Sequence, residues 1–332
     1  YNVAVSKSSK SKTSSGKRDL QLDVATIEVL VFLDKIVHGK LVAKNTDIKK
    51  YLGIFWNTVQ NKYKVFNNPK VEFSLSGAIV LSDMSWMVDT FLAPNKPDDE
   101  EYLESFANWL FKQDQKGTKI NFPKYDVGVL HTGLDLSYKD GNRINPGTLG
   151  IAPLKGICAD DAEHEVILSS CVFEDPYAPT FAGAMTAAHE LGHLLSANHD
   201  DPSKCDKHGL MAPEDEQISP STMVFCNSSI EQIKNELNSD AASCLYDSPK
   251  PHLPIGPEVP PMTREEICKS AYGDNFEAVP LNSYRRSIID ICVYVICFED
   301  KNPENLQYLM WVPERTPCDD EKICIKGLCT TN

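Results

Sequence analysis

No cysteine occurs before Cys158 in this chain of 332 residues, no run of about 18 apolar residues occurs anywhere, and no acidic residue occurs among the first 18. Each absence excludes something. Without a long apolar run no helix can cross the hydrocarbon core of a bilayer, so the chain is expected to be soluble and not inserted in a membrane. The acid-free start carries Lys7, Lys10, Lys12, Lys17 and Arg18 among serines and has no apolar periodicity, so residues 1–22 are expected to be a disordered basic tail or a propeptide remnant. The rest is then even more negative than the formal −14 of the whole, which repels phosphate backbones and anionic lipid and excludes nucleic acid as a partner. Also missing are internal repeats, paired C-x2-C knuckles of the zinc-finger kind, and a charged segment leading into an apolar one at the start; any signal peptide is expected to lie outside this stretch.

Eleven cysteines are present, six of them in the last 65 residues (Cys268, Cys292, Cys297, Cys318, Cys324, Cys329), which points to disulfides, an oxidising compartment and a secreted, extracellular protein. Asn227-Ser228-Ser229 is an N-glycosylation sequon, in keeping with that compartment.

The run IEVLVFLD from Ile27 is almost wholly apolar, as in a strand buried on both faces of a mostly parallel sheet. Ile48, Leu52, Phe55, Val59 and Tyr63 recur at helical spacing within 47–66, after Thr46 or Asp47 as N-cap. Strands are expected at 71–81, 125–132 and 148–152, and helices at 98–115, 181–195 and 229–237. The alternation predicts an α/β sandwich over 23–247. Six prolines in 248–262 break every pattern and mark a linker. Residues 263–332, too few for a self-sufficient apolar core, are expected to be a small disulfide-rich module.

Chemistry concentrates in HELGHLLSANHD, residues 189–200. His189 and His193 stand one helical turn apart on one face and can turn ring nitrogens toward one point. His199, six residues on, reaches that point only if the helix stops and the chain doubles back, so a break is expected within 196–198. Three imidazoles plus a water make the tetrahedron of a catalytic zinc, which lowers the pKa of water from ~15.7 toward ~7. Glu190 is placed beside the metal as general base and then proton donor to the leaving amine. The remaining histidines (His38, His131, His164, His208, His252) show no ligand spacing and are expected to be surface or core residues.

This motif, followed by HGLMAP with Met211, resembles the H-E-x-x-H-x-x-G-x-x-H and Met-turn of the metzincin metalloproteases. Asp200 after the third histidine is similar to the reprolysin (adamalysin) branch, and HTGLD with TLG, GIC with SSCVFED, FCNSSI and SCLYD resemble the ADAMTS-type enzymes and the tick salivary reprolysins in particular. ICKSAYG, CVYVIC and TPCDDEKICIKGLC look like a disintegrin-like module. The resemblance implies a metzincin-type catalytic domain with a twisted sheet and a zinc-binding active-site helix. It implies zinc on His189, His193 and His199, Met211 as the floor of the site, and Thr148, Leu149, Gly150 and Ile151 as an edge strand for extended substrate. It further implies a structural calcium held by Glu28, Asp135 and Asp247, and the disulfides Cys158–Cys244 and Cys205–Cys226.

Three departures from the family pattern stand out. Ser196 replaces the turn glycine, which costs a residue with a Cβ roughly 1 kcal/mol. Ala107 stands where such families place the helix cysteine that pairs with the counterpart of Cys171, so Cys171 is left as a free thiol, with a Cys158–Cys171 bridge as the local alternative. The C-terminal module has six cysteines where the family usually has eight and lacks Arg-Gly-Asp, so integrin binding is not supported. The expected function is a zinc metalloendopeptidase acting on extracellular proteins, matrix or clotting proteins such as fibrinogen among them. The alternative is a binding protein, weak in catalysis, that acts through its metalloprotease and disintegrin-like surfaces.

Overall fold

The computed structural model describes residues 24–114, 122–205, 209–213, 219–247, 255, 262–284 and 290–331. The expected N-terminal tail and nearly all of the expected linker lie outside the described residues, as do His208 and His252.

In chain order the larger, N-terminal part runs β1 (Val24–Leu33), α1 (Lys35–Ala43), α2 (Ile48–Tyr63), β2 (Lys70–Val80), the hairpin β3 (Phe91–Ala93) and β4 (Lys96–Pro97), α3 (Asp99–Asp114) and β5 (Val127–Thr132). It continues with the hairpin β6 (Tyr138–Asp140) and β7 (Arg143–Asn145), then β8 (Gly150–Ile151), β9 (Ser170–Glu174), α4 (Ala184–Leu194) and α5 (Asn227–Leu237). Five strands form the central sheet in the order β2-β1-β5-β9-β8. All neighbours are parallel except β8, which runs antiparallel to β9 and forms one edge.

Both faces of the sheet are covered, and strand parity divides the core. Val29, Val31, Leu33, Val129, Cys171 and Phe173 face the layer built by α2 and α4, while Leu30, Phe32, Leu130 and Val172 face α3 through Tyr102, Phe106 and Leu110. That is why β1 is apolar at nearly every position. Asp47 caps α2 by accepting the Lys50 N–H. α1 escapes a reading by periodicity because only Val37 and Leu41 are buried; its start is fixed instead by Asp34, which accepts the N–H groups of Ile36 and Val37.

Beyond residue 262 come α6 (Arg264–Tyr272), the sheet β10 (Phe276–Ala278), β11 (Tyr294–Glu299) and β12 (Asn302–Met310), and a second sheet of β13 (Pro317–Asp319), β14 (Lys322–Ile325) and β15 (Leu328–Thr331). Ile267, Val295, Leu309 and Val312 form a small core with the bridges Cys268–Cys297 and Cys292–Cys324, and Cys318–Cys329 closes the last hairpin.

Candidate active site

The helix α4 ends at Leu194, and the chain reverses through Ser196, whose φ is +79°. The Ser196 N–H donates to His193 O and the Ala197 N–H to Gly192 O, the pair of bonds that closes a Schellman turn. This reversal brings His199 back over the helix. The Nε2 atoms of His189 and His193 are 3.0 Å apart, and those of His193 and His199 are 3.2 Å apart.

The other ring nitrogens show what these atoms are for. Nδ1 of His189 lies 2.8 Å from Leu210 O, and Nδ1 of His193 lies 2.8 Å from Ala197 O. A carbonyl can only accept, so Nδ1 carries the proton in each neutral ring and Nε2 presents a lone pair. Lone pairs cannot bond one another, and three of them converging asks for a cation. Nitrogens at 2.0–2.1 Å from a tetrahedral zinc lie about 3.3 Å apart, close to the spacing here. Burial, then the neighbouring imidazoles, pushes His189 down to about 3 and His193 down to about 4, so both are neutral and fit to bind a metal. Burial also lowers His199.

Two glycines let the surroundings close in. A Cβ on Gly192 would lie 2.5 Å from the Met211 sulfur, so the fully buried Met211 sits directly against α4 because residue 192 has no side chain. A Cβ on Gly150 would lie 2.6 Å from Glu190 Oε1, so the carboxylate of Glu190, itself 3 % exposed, rests against β8. β8 is shorter than expected; before it, the Thr148 hydroxyl donates to Asp99 at 2.5 Å and Leu149 O accepts the Glu174 N–H at 2.8 Å. One cleft is lined by Thr148, Leu149, Gly150, Ile151, the three histidines and Glu190. Asp200 then secures the returning loop. It accepts the Gly209 N–H and the Ser229 hydroxyl, each at 2.6 Å, and its own N–H donates to Met211 O at 2.7 Å. Ser229 is thus the buried third residue of the sequon, whose Asn227 is exposed.

The cysteines pair as Cys158–Cys244 and Cys205–Cys226, and Cys171 is a buried free thiol. Cys171 points to the α2/α4 side of β9, whereas α3, which carries Ala107, packs on the opposite face with Val172.

The expected calcium set does not assemble. Asp135 lies beyond the C-terminal end of β5, ion-paired with Lys96, whereas Glu28 and Asp247 meet near the strand's other end. Six strand residues separate the two places by about 20 Å. The carboxylate that does join Glu28 is Asp126, whose Oδ2 accepts the Glu28 N–H at 2.9 Å. The cation among them is the Lys124 ammonium, bonded to Asp247 and 4.0 Å from Glu28 Oε2. Burial, with Glu28 and Asp247 adding to it, pushes Asp126 up to about 7. Sequence reading missed Asp126 and Lys124, although both lie in the PKYD stretch just before β5.

A parallel-sheet α/β fold whose central helix presents H-E-x-x-H, with a third histidine returned by a tight turn over a methionine, defines the metzincin class of metallopeptidase. Residues 50–200 match the family described as metallo-peptidase family M12B, reprolysin-like. The chain is 28 % identical to a Bombyx mori protein named a disintegrin and metalloproteinase with thrombospondin motifs like, over 92 % of this chain and 44 % of that one. It is 26 % identical to human a disintegrin and metalloproteinase with thrombospondin motifs 8, over 80 % of this chain and 29 % of that protein. It is also 28 % identical to venom metalloproteinase 2 of Eulophus pennicornis, over 54 % and 40 % respectively. The chain thus resembles the reprolysin-like, ADAMTS-related metzincins, a family that implies zinc, and it spans less than half the length of these relatives.

Proposed function

We propose that this chain is a secreted zinc endopeptidase that hydrolyses peptide bonds of extracellular proteins, with His189, His193 and His199 as the metal ligands and Glu190 as the general base. The convergence of three Nε2 lone pairs in one cleft with Glu190 is the observation that carries this reading. Zinc held there would polarise the scissile carbonyl and make a water acidic enough to lose its proton near neutral pH. Glu190 takes that proton and hands it to the departing amine. The outer edge of β8 receives the substrate main chain as an added strand, a mode that reads backbone before side chains. Gly150 keeps that strand in contact with Glu190, so the bond to be cut lies beside the base.

Five disulfides support an oxidising compartment, and no described helix is long and apolar enough to cross a membrane. Resemblance to the tick salivary group supports matrix or clotting proteins such as fibrinogen as substrates. A structural calcium is not part of this proposal, since Lys124 supplies the cation among Glu28, Asp126 and Asp247.

The test is cleavage of an internally quenched peptide library by the purified zinc-loaded chain, with a chelator and Glu190→Ala as controls. Both controls are expected to abolish turnover. Turnover that survives Glu190→Ala defeats the mechanism, and a parent that cleaves nothing while binding peptides in this cleft supports the binding-protein alternative.

A further inference from the structure

Trp311 lines the same cleft as the three histidines, yet it belongs to the C-terminal module. It follows the last residue of β12, where Met310 pairs with Tyr294, and precedes Val312, which is buried in the module's own core and donates to Val293 O. Between those two fixed neighbours Trp311 adopts φ +58°, a left-handed conformation that a bulky residue rarely holds. The kink takes the indole away from its own module, and it packs against the larger core of the catalytic domain.

The module is seated there by two further contacts. The Lys62 ammonium on α2 meets Glu314 at 2.9 Å, with the lysine side chain only 3 % exposed. On the other side, a Cβ on Gly327 would lie 2.8 Å from Met223 and 2.9 Å from Pro220, so the β14–β15 turn rests on the 3-10 helix Pro220–Met223, the element that contributes Thr222 to the cleft.

We propose that Trp311 is a wall of the substrate cleft supplied in cis by the C-terminal module, and that it selects peptides with a bulky apolar side chain at the position it touches. The proposal rests on the peptidase reading only in taking the ligand to be a peptide. The class of side chain follows from the surroundings. Leu149, Ile151, Met185, Leu210 and Pro213 line the same cleft as the indole. Of the cleft's two carboxylates, Glu190 is 3 % and Asp99 8 % exposed, Asp99 accepts the Thr148 hydroxyl, and no lysine or arginine is among the described residues that line the cleft. An apolar pocket of this kind discriminates by about 10- to 200-fold per missing group, a range that profiling resolves.

The experiment profiles the full chain, Trp311→Ala and Trp311→Phe on peptide sets varied at one position at a time. Trp311→Ala is expected to lose about tenfold or more in kcat/KM for bulky apolar residues at a single position while the other positions keep their profile, and Trp311→Phe is expected to keep the preference. In parallel, Glu190→Ala and Glu190→Ala/Trp311→Ala are titrated with the same peptides, fluorescently labelled, by anisotropy; the double variant is expected to bind bulky apolar peptides at least tenfold more weakly. An unchanged profile and unchanged affinities overturn the proposal. So does a uniform fall for all peptides shared by Trp311→Phe, which marks a structural role. If no form cleaves any peptide, the anisotropy arm still decides: a Trp311-dependent affinity sustains the cleft wall while the peptidase reading falls, and no binding ends both.

Discussion

Ser196 sets the turn that delivers His199, and its φ of +79° brings an L side chain's Cβ against the following carbonyl, at a cost of roughly 1–2 kcal/mol. Glycine escapes that crowding but loses more backbone freedom on folding, roughly 0.5–1 kcal/mol. Ser196→Gly is therefore expected to stabilise the chain by about 0.5–1 kcal/mol, a rise of about 1–3 °C in Tm by calorimetry, with zinc content unchanged. A fall in Tm would show that the Ser196 side chain, which is 8 % exposed, makes contacts worth more than the strain. Asp200 acts one step further out than the proposed zinc ligands. Its carboxylate holds Gly209 and Ser229, and its N–H holds Met211 O, so it fixes the loop carrying His199 to the segment that follows the helix. Asp200→Ala leaves a buried N–H and a buried hydroxyl without their acceptor and frees the third ligand's loop. Removal of such an outer partner is expected to weaken zinc about 10- to 100-fold, read by competition with a chromophoric chelator at fixed pH.

Between β1, β5 and the end of the 3-10 helix Asp240–Tyr246, three carboxylates share one ammonium. Of these, Asp126 has its pKa raised to about 7, by burial first and by the neighbouring Glu28 and Asp247 carboxylates after it. An unfolded Asp titrates near ~3.9, so the folded state binds the Asp126 proton more tightly than the unfolded one. The contribution is present in full below about pH 4 and is lost as pH rises through about 7. Thermal stability is expected to decline over that window, and Asp126→Asn, neutral at every pH and still able to accept the Glu28 N–H, is expected to flatten the decline. A parent and an Asn variant with parallel Tm–pH curves would refute the raised pKa of Asp126. The same cluster predicts a response to metal: adding or chelating calcium leaves the parent Tm unchanged, whereas Lys124→Ala opens the carboxylates to a divalent cation and makes Tm rise with calcium.

Across the whole molecule, what could be read in advance was what the chain encodes over a few residues. The 189–193–199 spacing requires a break within 196–198, which falls at Ser196, and β1 announces burial on both faces through a nearly continuous apolar run. Relations between distant segments were not legible. Asp126 and Asp135 look alike as acidic residues flanking one strand, and only the assembled sheet places the first beside Glu28. Cys171 and Val172 differ by one position, which in a strand is the whole difference between facing α4 and facing α3. The seating of the C-terminal module is the longest-range relation of this kind, and Glu314 is its fulcrum. One carboxylate oxygen meets Lys62 of α2 at 2.9 Å, and the two oxygens accept the Lys326 N–H at 3.1 and 3.0 Å, so a single side chain joins the catalytic domain to the β14–β15 turn. Glu314→Ala removes both links and leaves the Lys62 ammonium, 3 % exposed, without this counter-charge. Breaking a pair so nearly buried costs about 3 kcal/mol, and here the loss falls on the interface and not on either core. Calorimetry is expected to show the single unfolding event of the parent split into two, with the module separating first. Zinc content should hold, because all three histidines lie outside the broken interface, while selectivity for bulky apolar side chains should fall as it does in Trp311→Ala. Glu314→Asp, which keeps the charge on a shorter stem, is expected to lie between the two. One undivided transition at the parent's temperature would mean that the module is held by its apolar contacts, Trp311 and Gly327 among them, and that the ion pair is incidental.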